Sequence, residues 1–282
     1  MSKVKIFRNI AKLKSIDLFY FDTRTQGPTI LCLHGRWGRC ETWYDFIQHY
    51  GKQYRIIAPD QRGHGLSSKP ISKYSAEELV EDIIELLDSL KINSIILVGH
   101  SMGGRVAGYL SALYPKYVKA LAILDKSASG PAMPSVLLLD QIPSIDPLTR
   151  DWPLPFSSLN EAMDFIQKTT DSNLSYQYFM NSLVETVEGY QMMFSPQAMA
   201  ANIAFEENWF HLLPNIKCPV LLVRSKSHEA ISDEDFIKMQ SIIPHCLASE
   251  MSQPDHNVHL ANKEEFYRFF DEFLELTGSD IS

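Results

Sequence analysis

Four short apolar runs divide the first half of the chain at regular intervals: Thr29–Leu33, Tyr54–Ala58, Ile95–Val98 and Ala120–Leu124. They are nearly continuous rather than alternating, the pattern of strands covered on both faces in a parallel sheet. Each stops at a turn signal: His34-Gly35, Pro59, Gly99 and Asp125. Between them the period changes. Leu79, Val80, Ile83, Leu86, Leu87 and Leu90 recur at helical spacing. They follow Ser75-Ala76-Glu77-Glu78, a capping box whose serine and glutamate satisfy the first turn reciprocally. Val106, Tyr109, Leu110 and Leu113 predict a second helix, beginning after Ser101 and ending before Pro115. Regular alternation of strand and helix predicts an α/β fold with right-handed crossovers.

The alternation lapses near Ser129 and resumes after Phe210. The intervening stretch is helical in flavour and punctuated by Pro131, Pro134, Pro143, Pro147, Pro153, Pro155 and Pro196. Beyond it Val220–Val223 predicts a strand, Asp233–Ile242 a helix and His245–Met251 a last strand. The chain closes on a helix over Glu264–Leu276, with Phe266, Phe269, Phe270 and Phe273 on one face. The 282 residues therefore divide into a core of residues 1–128 and 211–282 and a helical insertion of residues 129–210.

Charge sharpens that division. Between Gly130 and Phe210 there are ten acidic side chains against two basic ones, so this stretch alone carries the chain's net −8. The acidic balance excludes a nucleic-acid binder, which needs a basic face. No apolar run is long enough to span a bilayer. The start, Met1–Tyr20, is broken by charges and lacks a secretory pattern, so a cytoplasmic location is expected. Cys32, Cys40, Cys218 and Cys246 are scattered and form no CxxC pair. They read as free thiols rather than a disulfide framework or zinc site. No metal and no cofactor is expected.

The chemistry concentrates at Gly99-His100-Ser101-Met102-Gly103, between a predicted strand and a predicted helix. This G-x-S-x-G pattern holds a serine on a tight strand-to-helix turn, its hydroxyl away from the sheet at a helix N-terminus that favours a developing anion. A serine hydroxyl needs a base. His256 follows the last predicted strand and reaches the same carboxyl edge of the sheet, whereas His259 is a lesser candidate three residues on. His34, His64 and His100 read as structural histidines. The base needs a carboxylate to fix its tautomer. Glu229, in the loop after Val220–Arg224, is preferred; Asp125, at the end of the fourth strand, is the alternative.

These residues together resemble the α/β-hydrolase superfamily, serine esterase-like and with a helical cap. The resemblance extends to His34-Gly35-Arg36-Trp37-Gly38, Asp60-Gln61-Arg62-Gly63-His64-Gly65-Leu66-Ser67, Cys218-Pro219-Val220 and His256-Asn257-Val258-His259-Leu260. It implies a mostly parallel eight-stranded sheet with helices on both faces and a cap inserted at residues 129–210. It implies an oxyanion hole from the backbone N–H groups of Arg36 and Met102, and a pocket that takes Trp37, Trp152 and Trp209 as substrate-binding candidates. Two positions depart from the pattern: the acid is glutamate where the family usually has aspartate, and Ser225 replaces the usual glycine.

The resulting expectation is a serine hydrolase that cleaves a carboxylic ester or lactone through an acyl-enzyme. The acidic cap favours a small-molecule substrate that is neutral or apolar, and the protein is expected as a monomer or homodimer. A lyase of the menaquinone-pathway type on the same fold is the alternative, and a non-enzymatic ligand receptor a more distant one.

Overall fold

The fold is described from a computed structural model, and residues 3–130, 138–142 and 144–278 are described. Pro131, Pro134 and Pro143 lie outside the described residues. Among the described residues ten strands form: β1 (Phe7–Lys12), β2 (Asp17–Asp22), β3 (Thr29–Leu33), β4 (Arg55–Pro59), β5 (Ile95–His100), β6 (Val118–Leu124), β7 (Leu183–Thr186), β8 (Gly189–Met192), β9 (Val220–Arg224) and β10 (Cys246–Glu250). The helices are α1 (Tyr44–Tyr50), α2 (Ala76–Ser89), α3 (Met102–Leu113), α4 (Leu159–Thr169), α5 (Asn173–Met180), α6 (Pro196–Ala204), α7 (Asp233–Ile242), α8 (Val258–Ala261) and α9 (Lys263–Gly278).

Eight strands make one sheet in the order β1-β2-β4-β3-β5-β6-β9-β10. Strands β4, β3, β5, β6, β9 and β10 are parallel, and β1 and β2 pair antiparallel at one edge. Strand periodicity divides the core. Leu31, Leu33, Leu97, Leu121, Ile123 and Leu222 face one apolar layer with α2, α3 and α7 residues such as Leu86, Val106 and Met239. Ile30, Cys32, Val98, Ala122, Leu221 and Val223 face the other, with Phe46 of α1 and Phe266, Phe270 and Phe273 of α9. The continuous apolar runs are thus explained: the aliphatic residues of the central strands β3, β5, β6 and β9 are covered on both faces. Among the described residues no helix is long and apolar enough to cross a membrane.

The chain leaves the sheet after β6 and returns before β9, and its two ends are stitched by a Trp209 N–H to Ala128 carbonyl bond of 3.0 Å. Between them a separate apolar cluster forms around Phe156, Ile166, Phe179, Phe194 and Met199. Helix α6 seats this unit on the core: Ser195 N–H donates to the Gly63 carbonyl (2.8 Å), and Asn202 Nδ2 donates to the Tyr74 carbonyl (3.2 Å). The insertion is not helical throughout, as its composition suggested. Strands β7 and β8 form an antiparallel hairpin. Its β-branched Val184 and Thr186 lie exposed on the outer surface, so no apolar run or alternation marks it.

Candidate active site

Ser101 lies between β5 and α3 with φ 53° and ψ −117°. A non-glycine residue rarely holds positive φ unless its surroundings over-determine it. Here they do: Ser101 N–H donates to the Leu124 carbonyl of β6 (2.9 Å), and its own carbonyl accepts from the Gly104 and Arg105 amides (2.8 and 3.1 Å). The turn also packs closely on the end of β3. A Cβ on Gly103 would stand 2.3 Å from the Leu33 carbonyl oxygen, and one on Gly35 would stand 2.9 Å from His100 Nδ1 and 3.1 Å from Ser101 Cβ. Only glycine at both places lets the loop bearing Arg36 approach the first turn of α3. Met102 is the first residue of that helix, where amides have no intrahelical acceptor.

The histidine reaches this edge from the loop after β10. His256 Nδ1 lies 2.8 Å from Asp125 Oδ2, and the other oxygen of that carboxylate accepts from Ser225 N–H at 2.8 Å. Asp125 follows β6 directly, at φ 49°, with its N–H bonded to the Val223 carbonyl (2.8 Å). Its carboxylate is buried, while the His256 side chain is 46% exposed. Behind His256, His100 Nε2 donates to the His256 carbonyl (2.8 Å). Asp255 accepts from Asn257 N–H (2.7 Å) and from Ser172 Oγ of the insertion (3.2 Å).

This corrects the preference for Glu229. The partner of His256 is the alternative, Asp125; Glu229 is exposed on the loop after β9, with its N–H on Ser227 Oγ (3.4 Å). The reason is positional. Asp125 sits one residue past its strand, level with Ser101, whereas Glu229 is five residues past β9 on a loop that has already turned outward. Ser225, in the place of a usual glycine, supplies the amide that orients Asp125.

The three tryptophans separate. Trp37, at φ 63°, lines the cavity over Ser101. Its indole N–H donates to Asp146 (3.1 Å), and its carbonyl accepts from Ser182 Oγ (2.6 Å), both from the insertion. Trp152 stands behind the lining, packed on Phe156, Phe165 and Phe179. Trp209 is fully buried in the core beside α3, its ring 6.0 Å from that of Tyr109, and does not reach the cavity. Its apolar size suited a pocket and a core equally. Trp209→Ala should therefore lower unfolding free energy by about 3–5 kcal/mol, measured by denaturant titration, while KM of the surviving native enzyme stays at the wild-type value; a KM change without loss of stability would return Trp209 to the pocket.

Two cavities meet at Ser101 and His256. One, of about 390 Å³, is roofed by Leu148, Tyr178 and Phe179 of the insertion and by Trp37. The other, of about 410 Å³, runs between Arg36, Lys126, Asp125, Ser227 and Glu229. Sequence reasoning passed over Lys126, Leu148 and Tyr178. Lys126 was findable, since it adjoins the carboxylate at the strand end; Leu148 and Tyr178 carried no signal distinguishing them from packing residues of the insertion. The acidic character of the insertion also proves to be mostly outward. Asp140, Asp151, Glu161, Asp164, Asp171, Glu185 and Glu188 are all exposed, and of these Asp171 reaches the cavity over Ser101.

His34, His64, His100 and His259 are buried, and burial holds each below the usual imidazole range. Burial pulls His34 down to about 4, and its Nδ1–H donates to the Gly35 carbonyl while Nε2 accepts from Gln61 N–H. Burial and the neighbouring His34 take His64 to about 3. His259, stacked on Trp43 at 4.4 Å, is likewise pulled by burial to about 3. Among the described residues no group of three or more histidines, cysteines or carboxylates is placed to hold a metal ion.

Comparison with known proteins agrees with this architecture. The (E)-2-((N-methylformamido)methylene)succinate hydrolase of Acinetobacter baylyi is 22% identical over 92% of this chain and 94% of its own. The match to epoxide hydrolase 1 of Caenorhabditis elegans is local, 36% identical over 116 residues, which is 39% of this chain and 28% of that one. The crystal structure of E-2-(acetamidomethylene)succinate hydrolase superposes with a TM-score of 0.79 at 21% identity, over 96% of this chain and 100% of that one. A family profile describing the alpha/beta hydrolase fold matches residues 28–266, and with the sheet order, the strained serine turn and the strand-end carboxylate it places this chain as a member of the alpha/beta hydrolase fold family.

Proposed function

We propose that this hydrolase works through a Ser101–His256–Asp125 triad and cleaves a carboxylic ester or lactone by way of an acyl-enzyme. The observation that carries the reading is the bond from His256 to buried Asp125 at the mouth of the same cavities that Ser101 lines. A carboxylate on Nδ1 leaves Nε2 free to accept the serine proton. Ser101 Oγ attacks the substrate carbonyl carbon as His256 takes that proton. The Arg36 and Met102 amides hold the oxyanion, a preorganised term that usually dominates acyl transfer. The tetrahedral intermediate collapses, the C–O bond breaks, and the alkoxide leaves with the proton from His256. Water then repeats the sequence on the acyl-serine and restores the free hydroxyl.

The test is covalent. A fluorophosphonate probe should add one phosphonyl group per chain, located on Ser101 by peptide mass spectrometry, and Ser101→Ala should take none. A panel of p-nitrophenyl esters of increasing acyl length should then be turned over by the unlabelled enzyme. Labelling elsewhere, or an active Ser101→Ala protein, would remove the serine mechanism. Release of pyruvate without ester cleavage would favour the lyase instead.

A further inference from the structure

The two cavities that share Ser101 differ in chemistry. On one side Trp37, Leu148, Tyr178 and Phe179 present an apolar wall, and the charged groups confined to that side, Asp171 and Asp255, are acidic. On the other, Lys126 enters the lining, and Arg36 stands at the junction of the two cavities; only 14% and 20% of their side chains are exposed. Both cations are tied to one carboxylate, Glu206, which bonds Lys126 and stands 3.6 Å from Arg36. A third cation lies behind them. Arg105 of α3 is 1% exposed, and none of its three guanidinium nitrogens has a hydrogen-bond partner among the described residues. Glu206 is again the principal opposing charge in its surroundings.

Three cations therefore share one carboxylate in a largely desolvated corner beside the nucleophile. Burial alone would raise the Glu206 carboxyl, yet Lys126, Arg36 and Arg105 together hold it below its usual range. An unpaired buried guanidinium is expensive to keep, and beyond Glu206 it is opposed only more weakly, by the exposed Glu77. Asp125 is engaged with His256 and Ser225. Glu229, the other carboxylate on this cavity, is exposed at its outer side, where water screens it. A ligand anion in the cavity would supply the missing counter-charge.

We propose that the cavity on the Lys126 side of Ser101 is an anion subsite, and that the substrate carries a carboxylate on one side of the scissile bond and an apolar group on the other. The proposal rests on the serine hydrolase reading only for the position of that bond. It revises the expectation of a neutral or apolar substrate, which took the charge of the insertion as the charge of the site. Lys126 and Arg36 bind the anion directly; Arg105 strengthens the field from behind.

The experiment is calorimetric binding to full-length Ser101→Ala, which does not depend on turnover. The probes are monophenyl glutarate and its neutral isostere methyl phenyl glutarate. The acid should bind about tenfold tighter or more at low salt, as expected for charge-assisted contacts. The advantage should shrink with added salt. In Ser101→Ala/Lys126→Met it should fall towards unity, and Ser101→Ala/Lys126→Arg should restore it. Should the methionine variant fail to fold, the salt dependence of the Ser101→Ala protein and the arginine variant decide the matter. Equal affinities for acid and ester, binding of neither, or a preference that survives Lys126→Met would overturn the subsite. Failure of the hydrolase reading would look different: wild-type enzyme would turn over neither ester while the binding preference persisted.

Discussion

Asp125→Asn should lower kcat on an activated ester by about 10⁴-fold with little change in unfolding free energy, while Glu229→Gln should leave kcat close to wild type. The asparagine is nearly isosteric, and its Oδ1 can still accept the Ser225 N–H that now bonds Asp125. What changes is the face towards His256. An amide NH₂ placed against Nδ1 selects the imidazole tautomer with its proton on Nε2, which then faces Ser101 as a donor and cannot accept the serine proton. Removing the negative charge also withdraws support from the imidazolium that forms in the transition state. Glu229 has neither relation to the ring: it is exposed, and its N–H rather than its carboxylate makes the local bond to Ser227. Steady-state kinetics on the two variants settle the assignment. A loss in Glu229→Gln equal to that in Asp125→Asn would restore the glutamate as the orienting acid.

The contrast between these two carboxylates shows what the sequence could carry. Parallel strands announce themselves through continuous aliphatic runs, and β3, β4, β5, β6, β9 and β10 all emerge within two residues of the expected positions. Ser101 is legible because its neighbours must be small for a tight turn, a constraint written into adjacent residues. The acid is different. Its role depends on which strand end stands beside the histidine loop, a relation set by sheet order, and two carboxylates satisfied the chain order equally. The edge hairpin β1–β2 was overlooked for another reason. Strand β1 alternates between half-buried and exposed positions, with Asn9 among the former and Ile10 among the latter, so polar and apolar residues mix on both faces. Trp209 and the charge of the insertion failed together: composition reports what a segment contains, and only packing reports which side of it faces the site.

Stability should fall steeply as pH drops from 7 to 5. His34 and His64 are held at about 4 and 3, and His259 at about 3, with burial the main cause in each; His100 is also pushed well below its ordinary range by burial. In the unfolded chain each returns to about 6.5. The folded values are depressed, so the stability these residues allow is fully present above pH 6.5 and is lost as pH falls towards 4 and 3, because the unfolded state takes up protons that the folded state refuses. One such histidine contributes a slope of about 1.4 kcal/mol per pH unit and roughly 2 kcal/mol by pH 5. Several acting together approach the whole stability of a typical domain, about 5–15 kcal/mol. The geometry explains why the folded state refuses: His34 Nε2 already accepts the Gln61 N–H, so a proton there would face a donor. Glu206 and Glu250 are held below the usual carboxylate range and lose their partners only at lower pH. Urea titrations at pH 7, 6 and 5 should show the fall, and His64→Asn, which keeps a donor towards the Arg62 carbonyl, should flatten the slope by about 1.4 kcal/mol per unit. A stability profile flat between pH 7 and 5 would mean that these imidazoles take up protons in the folded state, and the neutral hydrogen-bond arrangement around His34 would have to be abandoned.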